Sequence, residues 1–389
     1  MRITCVHQGF ELYGSDRSFI ETVRVMRATW PQATIDVVLP RHGPIVAALE
    51  PLATGIHVEP LWILRRRDLP RLATLGLLTL PVAVGRALRR MARSDLTYIN
   101  TCVVTDYLLA ARVFRRRCLV HVHEIPQGLV RTVLRGLIGW AGCGVVFNSK
   151  ATQAAFAPSP SRPGRVVYNG IADPGRPKGA TYRGDRPLRV LMLGRISRIK
   201  GQDVMVEALA RLPPSIRDRI VLRIVGSAFE DAAREEALAA RIAQAGLGAV
   251  VERLAFTPDP AEHFAWADMV AVPSRLPESL GRVAIEAMAH GIPPVVSDIG
   301  GLPEVVEDGV TGWLVPPGDA DALARRLAFL VTEPGAWAGF PQAARARYLG
   351  VFAEAASAAG MVACFRGVLD GGAAPADQGS GRLPKRPSR

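Results

Sequence analysis

The sequence predicts an α/β protein built from two doubly wound domains, on three observations. First, short apolar runs suited to buried parallel strands alternate with stretches whose apolar residues recur at helical spacing. Met269 to Pro273 is such a run, Val283, Ala284, Ala287 and Met288 follow at helical spacing, and Val295-Val296 begins the next strand. Second, 389 residues suffice for two cores of ordinary size, and 49% apolar with 6% aromatic residues suits packed α/β structure. Third, Ala172 to Pro187 is Asp, Pro, Gly, Arg and Lys with almost nothing apolar, which reads as a hinge. The expected division is a first domain 1–171, a linker 172–187, a second domain 188–370 and a disordered tail 371–389 of Gly, Ala, Pro, Ser and Arg.

In the first half, Arg2 to His7 is a strand and Gly9 to Ser15 the turn after it. Ser15 or Asp16 can cap a helix with Phe19, Ile20, Val23 and Met26 on one face. This is a Rossmann-like opening, in which Gly14 lets backbone approach a ligand. Strands are expected at Thr34 to Leu39, Ile56 to Val58, Leu96 to Asn100, Leu119 to His123, Gly144 to Phe147 and Arg165 to Ile171. Leu61 to Arg93 mixes apolar residues with arginines and reads as one or two helices covering the sheet, or as a basic amphipathic surface at a membrane. Leu129 to Trp140 is a second basic amphipathic helix. His121 and His123 fall on one strand face, and only the strand's C-terminal tip lies where open α/β sheets bind ligands. Two residues apart on a strand, they supply two metal ligands with no evident third.

The second half opens with the strand Leu188 to Leu193 and the loop Gly194 to Gly201. Arg195 and Lys200, after a strand and before the helix Asp203 to Leu212, offer a fork and a point charge of the kind that neutralises a diphosphate. Strands Val221 to Val225, Val251 to Phe256 and Met269 to Pro273 continue the sheet, with helices at Ala232 to Ala245 and Pro260 to Ala267. Glu278 and Glu286 are eight apart, one in a loop and one about two helical turns on, where both can face a ligand over the helix start. Backbone N–H groups near Arg282, Val283, Gly300 and Gly301 offer donors to a phosphate, and carboxylates accept from sugar hydroxyls. A nucleotide sugar has both parts. A strand at Gly312 to Val315 and helices at Asp319 to Val331 and Phe340 to Leu369 complete the domain.

The pattern Glu278-x7-Glu286, followed by Gly291-x-Pro293, Gly300-Gly301-x-Pro303-Glu304 and Gly309-x-Thr311-Gly312, resembles the signature of the retaining glycosyltransferases of family 4. The likeness is dense from Leu188 to Asp319 and looser in residues 1 to 170. It implies two Rossmann-like domains facing each other across a cleft, the GT-B arrangement, with the last helix crossing back to the first domain. It also implies transfer of a glycosyl group from a nucleotide-sugar donor to an acceptor hydroxyl with retained anomeric configuration. Carried over residue by residue, Arg195 and Lys200 would hold the leaving phosphates, Glu278 the donor-sugar hydroxyls and Glu286 the ribose. His123 would touch the sugar, and Phe256 with Thr257 lies where related enzymes hold the base. Gly14, Ser15, Leu280, Gly281, Arg282, Val283, Gly300 and Gly301 would line the donor site. Two positions depart from the family: Gly14-Ser15 stands where Gly-Gly is usual, and Leu280 where an aromatic residue is common. A cationic pair makes a metal unnecessary, and no Asp-x-Asp motif lies in a suitable loop, so neither metal nor other cofactor is expected. A nucleotide-sugar epimerase shares this shape and is the alternative; a silent binding subunit is a third.

Charge is uneven. Residues 1 to 180 hold 24 Lys and Arg against 11 Asp and Glu, while residues 181 to 389 hold 24 of each, so the whole net charge of +13 lies in the first half. Arg65-Arg66-Arg67, Arg89-Arg90 and Arg115-Arg116-Arg117 concentrate it. Solubility is one account and attraction to an anionic membrane surface another. Nucleic acid is disfavoured, because no stacking aromatics interleave with the arginines. A lipid-linked or other glycan acceptor of surface polysaccharide synthesis fits such a half. Five scattered cysteines without a Cys-x-x-Cys pair suggest reduced thiols in the cytoplasm, possible at the inner membrane face. No signal peptide is read at the N-terminus, and no run reaches the ~20 apolar residues a spanning helix needs.

Overall fold

The computed structural model describes residues 1–12, 14–64, 77–157, 164–175, 177, 182–228 and 231–371. Its contacts divide the chain into two compact units, Met1–Val167 with Ala358–Arg389, and Tyr168–Ser357. Each unit is a parallel sheet with helices on both faces, which is why its central strands are apolar without alternation.

The first unit holds β1 (Arg2–His7), β2 (Thr34–Leu39), β3 (Gly55–Val58), β4 (Leu96–Asn100), β5 (Cys118–Val122), β6 (Gly144–Phe147) and β7 (Arg165–Val166). They lie in the order β3-β2-β1-β4-β5-β6-β7. The chain therefore starts mid-sheet, winds outward to β3 and then jumps to β4, leaving a topological switch between β1 and β4. In that pair His7 stands opposite Asn100. One core beneath this sheet gathers Ile3, Cys5, Phe19 and Val23 with Met361, Cys364, Phe365 and Val368 of the last helix, Glu354–Leu369. The other gathers Val120, Val145 and Phe147 with helices Thr105–Ala111 and Gly128–Ala141.

The second unit repeats the plan with β8 (Leu188–Leu193), β9 (Ile220–Val225), β10 (Val251–Leu254), β11 (Met269–Val272), β12 (Pro294–Ser297) and β13 (Trp313–Val315). The order β10-β9-β8-β11-β12-β13 puts its switch between β8 and β11. Ligands of open α/β sheets sit outside the strand C-termini at such a point.

Several expectations are corrected. The strand foreseen over Arg165 to Ile171 stops at Val166, and Tyr168 onward belongs to the second unit, because Ile171 is buried in its core and its N–H donates to the Phe352 carbonyl. The supposed linker is partly structural: Tyr182 is buried and stacks on Trp337, and Arg186 makes a two-pronged bond to the buried Asp268. Composition hides such segments because one aromatic and one arginine do the anchoring. The long helix foreseen over Phe340 to Leu369 is three pieces, Phe340–Arg347, a wider turn Tyr348–Phe352, and Glu354–Leu369. Of the Leu61 to Arg93 stretch, a helix Leu77–Ala92 with Pro81 inside it is seen, burying Ala83, Ala87 and Met91. Residues 65–76, including the Arg65-Arg66-Arg67 run, and the 372–389 part of the expected tail lie outside the described residues. Among the described residues no helix is long and apolar enough to cross a membrane.

Candidate active site

At the C-terminal edge of the second sheet, three loops converge on the β8/β11 switch. The loop after β8 carries Arg195 and Lys200 and ends at Gly201, whose φ is +73°. A Cβ there would lie 2.0 Å from the Pro273 carbonyl oxygen, so only glycine lets this loop rest on the end of β11. That seating delivers Lys200 to Glu278: Nζ donates to Oε2 at 2.8 Å, with both side chains largely buried. The other carboxylate oxygen, Oε1, accepts from the fully buried Ser274 hydroxyl. Each oxygen keeps a lone pair for a further donor. Arg195 stands exposed on the same loop, its carbonyl accepting from Gln202 Nε2 at 3.1 Å.

Glu286 lies one turn into helix Arg282–Ala289, where its Oε1 accepts from Arg282 Nε at 2.8 Å. The first helical bonds are Ala284 and Ile285 N–H to the Gly281 carbonyl, so the N–H groups of Arg282 and Val283 have no acceptor within the helix. They lie at the positive end of the helix dipole, where donors to a phosphate were expected. Gly301 does not fit that expectation. Its N–H donates to the Glu278 carbonyl at 2.8 Å and is spent on the protein. Gly300, with φ +63°, passes so close that a Cβ would sit 2.3 Å from the same carbonyl oxygen. The two glycines thus clamp the Glu278 loop.

Leu280 is also corrected, being 3% exposed and packed in the core with Leu302, so its side chain serves loop packing rather than a ligand. Phe256, just past β10, is 46% exposed and presents an aromatic face. The structure thus brings Lys200, Glu278 and Ser274 together, and Arg282 with Glu286. Ser274 was missed by sequence reasoning, although its place directly after an apolar strand was the available signal.

The first unit builds its own edge. Helix Gly14–Thr29 begins at Gly14, and Ser15 lies in its first turn. Asp16, foreseen as one of two possible caps, is buried, and its Oδ1 accepts from His7 Nε2 at 2.7 Å. Asn100 joins His7 Nδ1 at 2.8 Å through Nδ2, and its Oδ1 receives Tyr98 OH at 2.8 Å and His123 Nε2 at 2.9 Å. His123 sits one residue past β5, its ring 4.0 Å from that of His121. Burial holds His121 down to about 3, and burial followed by the neighbouring His121 and His7 holds His123 well below the usual imidazole range. Both are neutral rings at physiological pH. The half-buried Glu124 is pushed up by burial, its Oε2 accepting from the His123 N–H at 3.1 Å and from the Cys102 thiol at 3.3 Å. Sequence reasoning passed over His7, Tyr98 and Asn100 and read Asp16 only as a helix cap. Two of them, His7 and Asn100, end adjacent strands at the switch, which was the legible clue.

These features define a protein of the GT-B fold class, with parallel-sheet α/β units and a cation–carboxylate site at a switch point. Residues 180–347 match the family Glycosyl transferases group 1. The chain is 34% identical over 253 residues to the GDP-mannose-dependent alpha-(1-6)-phosphatidylinositol monomannoside mannosyltransferase of Mycolicibacterium smegmatis, across 58% of this chain and 64% of that protein. It is 38% identical over 149 residues to the D-inositol 3-phosphate glycosyltransferase of Kribbella flavida, across 37% of this chain and 35% of that protein. The chain thus spans between about one third and just under two thirds of these relatives' lengths. The crystal structure of Anabaena Alr3699/HepE in complex with UDP and glucose superposes with a TM-score of 0.77 at 26% identity, covering 93% of this chain and 98% of that one.

Proposed function

We propose that this protein is a glycosyltransferase that moves a sugar from a nucleotide-sugar donor to an acceptor hydroxyl with retention of anomeric configuration. The observation that carries the reading is the Lys200–Glu278 contact at the β8/β11 switch, beside the open N-terminus of helix Arg282–Ala289. Departure of a nucleoside diphosphate requires positive charge where negative charge develops. Lys200, Arg195 and the Arg282 and Val283 N–H groups supply it without a metal ion. Glu278, its two oxygens anchored by Lys200 and Ser274, accepts from donor-sugar hydroxyls, and Glu286 from the ribose. Exposed Phe256 offers a face to the base. His123 touches a sugar hydroxyl. The two curated relatives, both glycosyltransferases by name, and the UDP-bound neighbour support this reading.

The acceptor we propose is a glycan or lipid-linked polyol, with the basic first half drawing the protein to anionic membrane at the cytoplasmic face. No nucleic-acid role is assigned. Thermal-shift titration with UDP-, GDP- and ADP-sugars identifies the donor, and NMR of the reaction then reads the product anomer. Lys200→Ala is expected to cut turnover at least ~100-fold, the scale of removing one transition-state donor, and excess chelator to leave wild-type turnover unchanged. Epimerised donor in acceptor-free samples would replace transfer with isomerisation.

A further inference from the structure

The hydrogen bonds around Asn100 fix proton positions several residues away. A carboxylate oxygen accepts, so the contact of Asp16 Oδ1 with His7 Nε2 places a proton of His7 on Nε2. Asn100 turns its amide Nδ2, which can only donate, toward His7 Nδ1, so that nitrogen is the acceptor and bears no proton. The Asn100 carbonyl consequently faces the other way, accepting from Tyr98 OH and from His123 Nε2. Tyr98 has spent its one proton, so His121 Nδ1, 2.8 Å from the phenol oxygen, must be the donor in that contact. Its Nε2 is left a buried lone pair with no partner among the described residues. The neighbouring histidines therefore carry opposite tautomers, His121 protonated on Nδ1 and His123 on Nε2.

The packing shows that this arrangement is built in. A Cβ on Gly9 would stand 1.8 Å from Asp16 Oδ1 and 2.7 Å from His7 Nε2, so glycine is needed where the pair sits. Phe19 stacks on the His7 ring at 4.6 Å and holds its plane. At the far end, His123 Nδ1 meets Asn148 Nδ2 at 3.4 Å, the longest link in the chain. The Thr152 hydroxyl donates to the Asn148 carbonyl and keeps that amide turned.

We propose that Asp16, His7 and Asn100 are positioning residues that hold His123 as its Nε2–H tautomer, so that its Nδ1 accepts a hydrogen bond from a substrate hydroxyl. Asn148 is the weak placeholder that the hydroxyl replaces. A neutral Nδ1 lone pair attracts a sugar or polyol O–H and repels a phosphate oxygen, so the device selects a hydroxyl at this point of the edge. This rests on the reading that His123 touches a sugar.

The test is long-range proton–nitrogen correlation NMR on the full chain with 15N-labelled histidine, alongside turnover with UDP-glucose and GDP-mannose as probes. The wild type is expected to show His123 protonated on Nε2 and His121 on Nδ1. In Asp16→Ala, His7 is free to take its other tautomer, Asn100 reverses, and His123 shifts toward Nδ1–H. With it kcat falls about ten-fold with little change in KM, the pattern of a lost transition-state contact. Asp16→Asn, whose carbonyl still accepts from His7, keeps the wild-type tautomer and most of kcat. A wild-type His123 protonated on Nδ1 overturns the relay without need of any variant, as does an unchanged His123 in folded Asp16→Ala. If the tautomers respond but kcat does not, the relay stands and the assigned substrate contact falls.

Discussion

Gly300 separates two effects that a glycine motif usually merges. Its φ of +63° disfavours any L side chain by roughly 1–2 kcal/mol. On top of that, an added Cβ would collide with backbone of Glu278, 2.3 Å from the oxygen and 2.8 Å from the nitrogen. Gly309 has a comparable φ of +73° with nothing within 4 Å. Gly309→Ala should therefore lower thermal stability slightly and leave turnover near wild type, whereas Gly300→Ala should displace the Glu278 loop and reduce turnover by at least ~30-fold, about 2 kcal/mol. Equal losses in the two variants would show that Gly300 acts only through its dihedral angle. The glutamate spacing and these glycines were visible in the chain because they lie close together along it. Ser274 and Asp16 were not read as site partners, since what they bond to is set by tertiary packing and not by neighbouring letters.

Helices and strands were legible to within a few residues wherever apolar periodicity was strong, as in β8, β11 and helix Arg282–Ala289. The reading failed where a single anchor outweighed composition, at Tyr182, or where a backbone turn interrupted a continuous helical pattern, at Tyr348–Phe352. Helix Thr105–Ala111 carries another feature no pattern announces. Asp106 is 1% exposed, and burial, with Glu59 adding to it, pushes its carboxyl up to about 6 from 3.8, against the pull of backbone N–H donors. With the folded value raised, the folded state holds more protons than the unfolded chain between those two values. The stability Asp106 contributes is thus complete below pH ~4 and lost as pH rises to ~6. Asp106→Asn removes the titration while keeping an accepting oxygen for the Tyr107 N–H. Its unfolding free energy relative to wild type should climb from pH 4 to 6 and level off above, by a few kcal/mol at most, since each tenfold change in proton affinity is worth ~1.4 kcal/mol. Denaturant unfolding at pH 4, 5, 6 and 7 reads this directly, and a difference that does not vary with pH would mean that the Asp106 carboxyl binds its proton no more tightly in the folded protein than in the unfolded chain.

At the scale of the whole molecule, charge is the property that sequence conveys most faithfully, because arginines remain at the surface in any fold. The excess of +13 lies in residues 1 to 180, and Arg89, Arg93, Arg115, Arg116, Arg117 and Arg131 are all exposed in the first unit. What the letters could not convey is that this unit also exposes apolar side chains on helix Gly128–Ala141, with Leu129 79% and Trp140 55% accessible and the guanidinium of Arg112 over the Trp140 ring. Two forces for a membrane surface therefore coexist, and salt separates them. Attraction at ~1 kcal/mol per basic residue near anionic lipid fades as the screening length shrinks from ~10 Å at 0.1 M toward ~3 Å at 1 M, while burial of Leu129 and Trp140 is not screened. Six exposed arginines outweigh the exposed Leu129, Val133 and Trp140 of that helix, so the protein should sediment with phosphatidylserine vesicles at low salt and leave them at high salt. Replacing Arg115, Arg116 and Arg117 by Glu should abolish that sedimentation, and Trp140→Ala should weaken it only modestly. Retention at 1 M salt, lost on Trp140→Ala, would assign the surface to apolar insertion instead.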